Sequence, residues 1–290
     1  MKLNYKFTFI FVNTLFVFIF FLSCSTTKPA VNGNTEKKPI ITDVKHLVFI
    51  GFDGWGGTYV QKANMPAVKQ MIADGASSTT VYNILPCITW PNWSSLFYGT
   101  PPEKRPENDF PSIFSITNSK DTAFFYEYYE LVKINSANKN YSLKIDSSLE
   151  SAFKIASYIR EKTPMFTAII VDEPDVTGHK TIWGSKKYYE KLITLDCFFA
   201  IIKQAIIDAG MYDDTVFVFS ADHGGFLKGH TANFPRNRKI PLIICGKGIK
   251  KGYTITSAAT ICDIAPTMAL ILGLEIPVEW TGFPIFEIFE

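Results

Sequence analysis

The sequence predicts an α/β fold, a three-layer αβα sandwich with a mainly parallel central sheet. Two observations predict it. Short apolar runs bounded by polar residues, such as Met165–Val171 (MFTAIIV) and Thr215–Ser220 (TVFVFS), read as strands buried on both faces. Between them lie segments with helical spacing, so strands and helices alternate, the pattern of a sheet covered on both sides. A hydrophobic content of 47% against 19% charged residues supports a globular chain with a sizeable core.

Taken in order, His46–Phe52 (HLVFIGF) is a first strand that stops at Asp53-Gly54. Ala63–Ala73 reads as a helix and Ser78–Leu85 as a strand. Pro91–Tyr98 can open a helix, since proline suits the first helical turn. Residues 100–147, with Pro and Asn throughout, carry no assignable period. Ser148–Lys162 is helical, and Met165–Val171 is a strand. Tyr188, Leu192, Leu195, Phe199, Ile202 and Ile206 then fall at intervals of 4, 3, 4, 3 and 4, one face of a long helix. Thr215–Ser220 and Ile240–Cys245 (IPLIIC) are strands, and Ala259–Leu272 is a closing helix. No internal repeat is visible.

The first residues have the character of a targeting segment. Lys2 and Lys6 precede an apolar run from Phe7 to Ser23 that ends in Phe21-Leu22-Ser23-Cys24. This resembles a bacterial lipobox, in which the cysteine is lipidated; the alternative is an uncleaved membrane helix at the lower edge of spanning length. The expected organisation is a lipoprotein signal peptide over 1–23, a tether over 24–44 beginning with Cys24, and one catalytic domain over 45–290. Either reading places the domain outside the cytoplasm, in the cell envelope and attached to a membrane. Without Lys2 and Lys6, 27 basic residues balance 27 acidic ones, so no clustered charge suggests a nucleic-acid groove. Cys87, Cys197, Cys245 and Cys262 form no CxxC pair, and the apolar surroundings of three of them favour buried free thiols.

Polar residues that carry chemistry gather just after strand ends. In open parallel sheets this is where sites form. Asp53 follows the first strand, and Asp175 and His179 (DEPDVTGH) follow the Met165–Val171 strand. Asp222 and His223 (SADHGG) follow the Thr215–Ser220 strand, with His230 seven residues later. Three of the four histidines belong to this set. Each residue alone has an ordinary explanation: a turn at Asp53-Gly54, a cap pair at Asp175 and His179, a plain loop at Asp222. His46, at a strand start, reads as structural. Together, mixed carboxylate and imidazole ligands suit zinc or a similar divalent ion, and six of them suffice for two ions.

Five motifs in order, FIGFDGWGG, LPCITWPNWSSLFYG, DEPDVTGHK, SADHGG with GHTANFPRNRKIPLI, and TICDIAPTMALILGLEIP, resemble the alkaline phosphatase superfamily. The resemblance is closest to the type I phosphodiesterase/nucleotide pyrophosphatase branch and runs from about residue 45 to the C-terminus. It implies Asp175, His179 and His230 on one metal ion, and Asp53, Asp222, His223 and Thr89 on the other. It implies Thr89 as nucleophile, activated by the metal and attacking a small phosphate ester to give a phospho-threonine that water hydrolyses. The plain alternative for Thr89 is a helix N-cap. Asn108 resembles a phosphoryl-contacting Asn of relatives, although Arg105-Pro106 stands where they usually have His-Gly. Trp90 occupies the place of an aromatic that stacks on a base, with a core aromatic as the alternative. The interval between His223 and His230 is shorter than in the nucleotide pyrophosphatases, which makes this a minimal version. Cys87-Ile88-Thr89-Trp90-Pro91 lacks the Pro and Arg of the sulfatase CxPxR motif. Alternative activities are a phosphomonoesterase, a phospho-group transferase and a non-catalytic binding lipoprotein.

Overall fold

The computed structural model describes residues 44–106, 110–117, 121–134 and 141–290. Cys24 and Asn108 lie outside the described residues. In chain order the first half contains β1 (His46–Phe52), α1 (Pro66–Ala73), β2 (Gly75–Tyr82), α2 (Thr89–Tyr98), α3 (Ile113–Ile116), β3 (Thr122–Tyr126) and β4 (Tyr141–Lys144). The second contains α4 (Leu149–Lys162), β5 (Phe166–Val171), α5 (Asp175–Thr181), α6 (Lys186–Asp208), β6 (Thr215–Ser220), α7 (Pro235–Arg238), β7 (Lys239–Gly246), β8 (Tyr253–Thr254) and α8 (Ile264–Ile271).

The strands form one sheet in the order β4-β3-β5-β1-β6-β7-β2-β8. The block from β4 to β6 is parallel throughout, and β7 runs antiparallel to both β6 and β2. β1 lies between β5 and β6, with Phe52 level with Val171 and Gly51 level with Ser220. The loops that leave these three central strands therefore open side by side. Two strands at one end of the sheet, β3 and the edge strand β4, come from the stretch in which no period is assignable. β3 is apolar (TAFFY) but only five residues long, and its Pro- and Asn-rich flanks obscure it.

Helices cover both faces. Phe49 of β1 meets Trp93 and Phe97 of α2 edge-on. Its register partner on β6 is Val218, while Phe217 and Phe219 point the other way onto Phe199 of α6. On the α6 side, α4 and α1 pack against α6; on the α2 side, α3 and α8 pack against α2. α6 buries Tyr188, Leu192, Leu195, Phe199, Ile202 and Ile206, the face expected from their spacing. It starts at a capped turn, where the Ser185 hydroxyl accepts from Tyr188 N–H. Among the described residues no helix is long and apolar enough to cross a membrane. Cys87, Cys245 and Cys262 are buried free thiols, and Cys197 is exposed.

Candidate metal centre

The site is assembled where β1, β5 and β6 end. The Asp53 N–H donates to the Val171 carbonyl at 3.0 Å, and the Asp175 N–H donates to the Asp53 carbonyl at 3.0 Å. This backbone stitch brings two carboxylates together from 122 residues apart. Gly54, at φ 70°, makes it possible: a Cβ there would lie 2.8 Å from the Asp175 Cβ. Its carbonyl is held by Trp183 Nε1–H at 2.9 Å and by Tyr188 O–H at 3.0 Å. On the β6 side, one Asp222 oxygen accepts from the N–H groups of Gly54 (3.1 Å) and His223 (2.8 Å). Its other oxygen has no protein partner and stands 3.2 Å from His223 Nε2.

All seven residues expected from the motifs converge. His223 Nε2 lies 3.5 Å from Asp53, 4.0 Å from Asp175 and 3.4 Å from the Thr89 hydroxyl. His179 Nε2 lies 3.4 Å from Asp175 Oδ2, and His230 Nε2 lies 3.8 Å from Asp175 Oδ1. Two overlapping donor groups result, Asp175/His179/His230 and Asp53/Asp175/His223, with the donor atoms of each within 4.8 Å of one another. Asp175 thus faces both groups, a position that no spacing along the chain indicates.

The donors fit a metal. Each histidine has Nδ1 against a backbone carbonyl: His223 on Gly224 at 2.8 Å, His179 on Lys228 at 2.9 Å and His230 on Cys87 at 2.6 Å. A neutral imidazole that donates from Nδ1 presents a lone pair at Nε2, and such a partner orients a metal-ligating histidine. His179 and His230 bring their Nε2 atoms within 3.1 Å. Two lone pairs that close repel unless a cation or proton lies between them. Buried oxygens of Asp53, Asp175 and Asp222 have no hydrogen-bond partner, which is costly unless a cation compensates them.

Electrostatics tell the same story. Burial, followed by the carboxylates of Asp222 and Asp175, holds Asp53 well above the usual carboxylate range. Burial does the same to Asp222 and pushes Asp175 up to about 6 against the opposing pull of His179. Burial, then the neighbouring His230, lowers His223, and burial lowers His230. Their rings stack at 3.7 Å. The folded protein by itself thus disfavours both carboxylate and imidazolium charge here, the reverse of what an ion-paired surface cluster would do.

Thr89 is the first residue of α2, and Ile88 occupies the N-cap without a side-chain hydrogen bond. The hydroxyl therefore turns to His223 and does not cap the helix, which begins two residues before the expected Pro91. Trp90, next to it, is half-buried with Lys133 Nζ 5.8 Å from its ring centre. Trp93, three residues on, is fully buried and donates from Nε1 to Asp53 Oδ2 at 3.1 Å. Gly51 lets it lie against the strand, since a Cβ there would collide with the indole. A glycine inside an apolar strand was the available sign of this close approach. Arg105 donates to Ser94 at 2.7 Å and covers Tyr98, so it is engaged along α2 and is not a clamp over Thr89. Asp172, the first residue after β5, was passed over although it obeys the same positional rule as Asp53. Burial, then Glu127, pushes it up to about 7.

The family profile for type I phosphodiesterase/nucleotide pyrophosphatase matches residues 47–105, and the metalloenzyme superfamily profile matches residues 110–276. The chain is 26% identical over 187 residues to arylsulfatase K of Xenopus laevis, covering 62% of this chain and 33% of the relative. It is 30% identical over 158 residues to the 2,3-bisphosphoglycerate-independent phosphoglycerate mutase of Acholeplasma laidlawii, covering 51% and 28%. The chain spans about a third of the length of these curated relatives. Among solved structures, an inactive threonine-to-alanine variant of murine ectonucleotide pyrophosphatase/phosphodiesterase 5 in complex with AMP superposes with a TM-score of 0.71 at 13% identity, covering 85% of this chain and all of the other. The lipoteichoic acid synthase LtaP of Listeria monocytogenes gives 0.65 at 15% identity, covering 86% and 78%. At such identities the likeness establishes the fold.

Proposed function

The chain belongs to the metalloenzyme superfamily, with the alkaline phosphatase-like fold, and from that premise we propose that it hydrolyses phosphate diesters with Thr89 as nucleophile. The observation that carries the reading is the Thr89 hydroxyl at the first turn of α2, 3.4 Å from His223 Nε2 and beside the converging donors. The donor set suits two divalent ions, with zinc as the natural candidate for a mixed carboxylate and imidazole site. When bound, such ions supply positive charge that activates a hydroxyl and offsets charge on phosphoryl oxygens. Asp175, His179 and His230 would hold one, and Asp53, Asp222 and His223 the other.

Thr89 Oγ1 would form the new bond to phosphorus while the leaving oxygen departs with its electron pair. Water would then hydrolyse the phospho-threonine. The first N–H groups of α2 have no carbonyl partner within the helix and favour an anion at that end. Arginine placement supports a diester over a monoester. Arg105 is engaged by Ser94, Arg238 donates to the Asn83 carbonyl at 2.8 Å, and Arg236 lies over Phe226. Arg105 and Arg238 are thus committed to protein acceptors, which counts against the bidentate grip that a phosphate dianion rewards. Trp90 with Lys133 above it offers a surface for the second substituent. Similarity to arylsulfatases raises the sulfate-ester alternative. The Cys87 thiol argues against it: it is buried, donates to Asn83 and is pushed up by burial, and only its carbonyl reaches the site, through His230.

The test is kcat/KM on matched nitrophenyl phosphate diester, phosphate monoester and sulfate with zinc added. The diester is expected to lead. A tenfold or larger preference for the monoester or the sulfate would reverse the assignment. On the same reading, lipidation of Cys24 would tether the domain to a membrane of the cell envelope through residues 24–44, a span of at most about 70 Å. Cys24→Ala should abolish incorporation of labelled fatty acid in a bacterial host, and labelling that persists would exclude this anchor.

A further inference from the structure

Lined in part by Trp183, whose ring meets His179 edge-on, lies a cavity of about 290 Å³. Its floor is aromatic, from Tyr59 and Trp183, and its walls include Ile182, Phe226 and Leu227. Ile182 and Leu227 are 40% and 57% exposed. Both also have positive φ, at 151° and 56°. Among the described residues only one other non-glycine residue, Thr163, does so, and that one ends α4. A left-handed or more extreme backbone is costly for a branched aliphatic residue, and exposing it adds a second cost. Here both costs fall twice on the lining of one cavity. Local folding does not require it, because glycine would satisfy either backbone.

The rim is cationic. Lys62 and Arg236 line the same cavity, both exposed, and among the described residues neither has a carboxylate within ion-pair distance. Arg236 lies 4.9 Å from the centre of the Phe226 ring. We infer that this cavity is a binding site for a single-chain anionic amphiphile, its apolar chain against Ile182, Leu227 and Trp183 and its head group on Arg236 and Lys62. The charge pattern selects an anion, and the paired aliphatic walls select an attached chain. The volume holds roughly ten groups at about 30 Å³ each, a water molecule's share of liquid volume. The inference is independent of which ester Thr89 attacks.

The cavity is wired to the metal centre. The Trp183 N–H donates to the Leu227 carbonyl at 2.9 Å, and the next carbonyl, of Lys228, holds His179 Nδ1. The Trp183 ring meets His179 edge-on at 5.0 Å. A chain seated on Leu227 and Trp183 would stiffen the turn that orients His179.

Calorimetric titration of the zinc-loaded full chain with octanesulfonate tests this, with inorganic phosphate present to fill the anion site of the metal centre. Octanesulfonate is expected to bind at one site below its micelle concentration, with methanesulfonate and octanol at least about tenfold weaker. Leu227→Gly removes the wall and the strain together. It should weaken binding about tenfold while leaving the melting temperature equal or higher, and Leu227→Met should restore binding. Arg236→Gln should weaken octanesulfonate and leave octanol unchanged. Absence of binding, equal binding of methanesulfonate, or undiminished binding in Leu227→Gly would each overturn the proposal.

Discussion

The two halves of the donor cluster are built differently. Asp53, Asp222 and His223 are almost wholly buried, at 2%, 0% and 0% exposure. They sit directly on the ends of β1 and β6, and their second atoms are held by Gly54, Trp93 and Gly224. The outer half rests on the first two turns of α5 and on a loop. His179 has 44% of its side chain exposed, and His230 has 11%. Their orientation depends on single hydrogen bonds to the Lys228 and Cys87 carbonyls. Asp175 joins the two. The difference teaches that the inner position is pre-organised by the sheet, whereas the outer one is assembled from segments that metal itself must help to hold.

The largest effect is expected at the junction of the inner half with α2. Thr89→Ala should lower kcat by about 10³-fold or more while both ions remain bound, because the attacking group is lost and most donors are not. Activity within tenfold of the parent would mean that water attacks directly. Next, removal of metal by a chelator should proceed in two phases, the outer ion leaving first. His179→Ala should weaken that first phase by about 10–100-fold and leave the second intact. A single phase in both proteins would abolish the distinction.

A smaller effect is expected from Trp93→Phe, which keeps the packing against Phe49 but removes the bond to Asp53. Activity should fall by about 10–100-fold with little change in melting temperature. Loss of folding in this variant, with no activity change in the folded fraction, would make Trp93 a core residue only. The smallest effect concerns the pH dependence of the metal-free protein. Asp53, Asp222, Asp175 (about 6) and Asp172 (about 7) are raised in the fold. Between the ordinary carboxylate range and those values the folded state holds more protons than the unfolded chain, so stability falls as pH rises. His223 and His230 are lowered and act in the opposite direction, but only up to the ordinary imidazole value near 6.5. Above about 6.5 the carboxylates act alone. The melting temperature of the chelated protein should therefore drop from pH 6.5 to 8, by about 2–4 °C for each kcal/mol of stability lost, and metal should remove the drop. A metal-free protein that grows more stable over that range would contradict the burial of these charges.

Much of this centre is legible in the sequence. Asp53, Asp222 and His223 are readable because a strand buried on both faces must be an apolar run, and its first polar neighbour marks the carboxyl edge of the sheet. The same rule applied without exception would have included Asp172. The role of Trp93 is hidden because helical position says where a side chain starts and not what it meets; only the glycine at position 51 hints that an indole lies against β1. The partners of Arg105 are hidden for the same reason. Its place is decided by Ser94 and Tyr98, partners on the next turn of a different element.

The α/β class, the strands β1, β5, β6 and β7, the long face of α6 and the set of residues available as ligands are all written in the order of the amino acids. Each of these follows from local periodicity or from position after a strand, which neighbouring residues encode. Tertiary structure alone decided that β7 runs antiparallel between β6 and β2, that β3 and β4 extend the sheet, and that Thr89 leaves the helix cap to reach His223. It also decided that Asp175 stands between the two donor groups, and that Ile182 and Leu227 face one cavity. The physical reason is the same throughout: these features arise from pairings between segments tens to more than a hundred residues apart, where the backbone stitch from Asp53 to Asp175 and the close approach at Gly54 set distances that no interval along the chain contains.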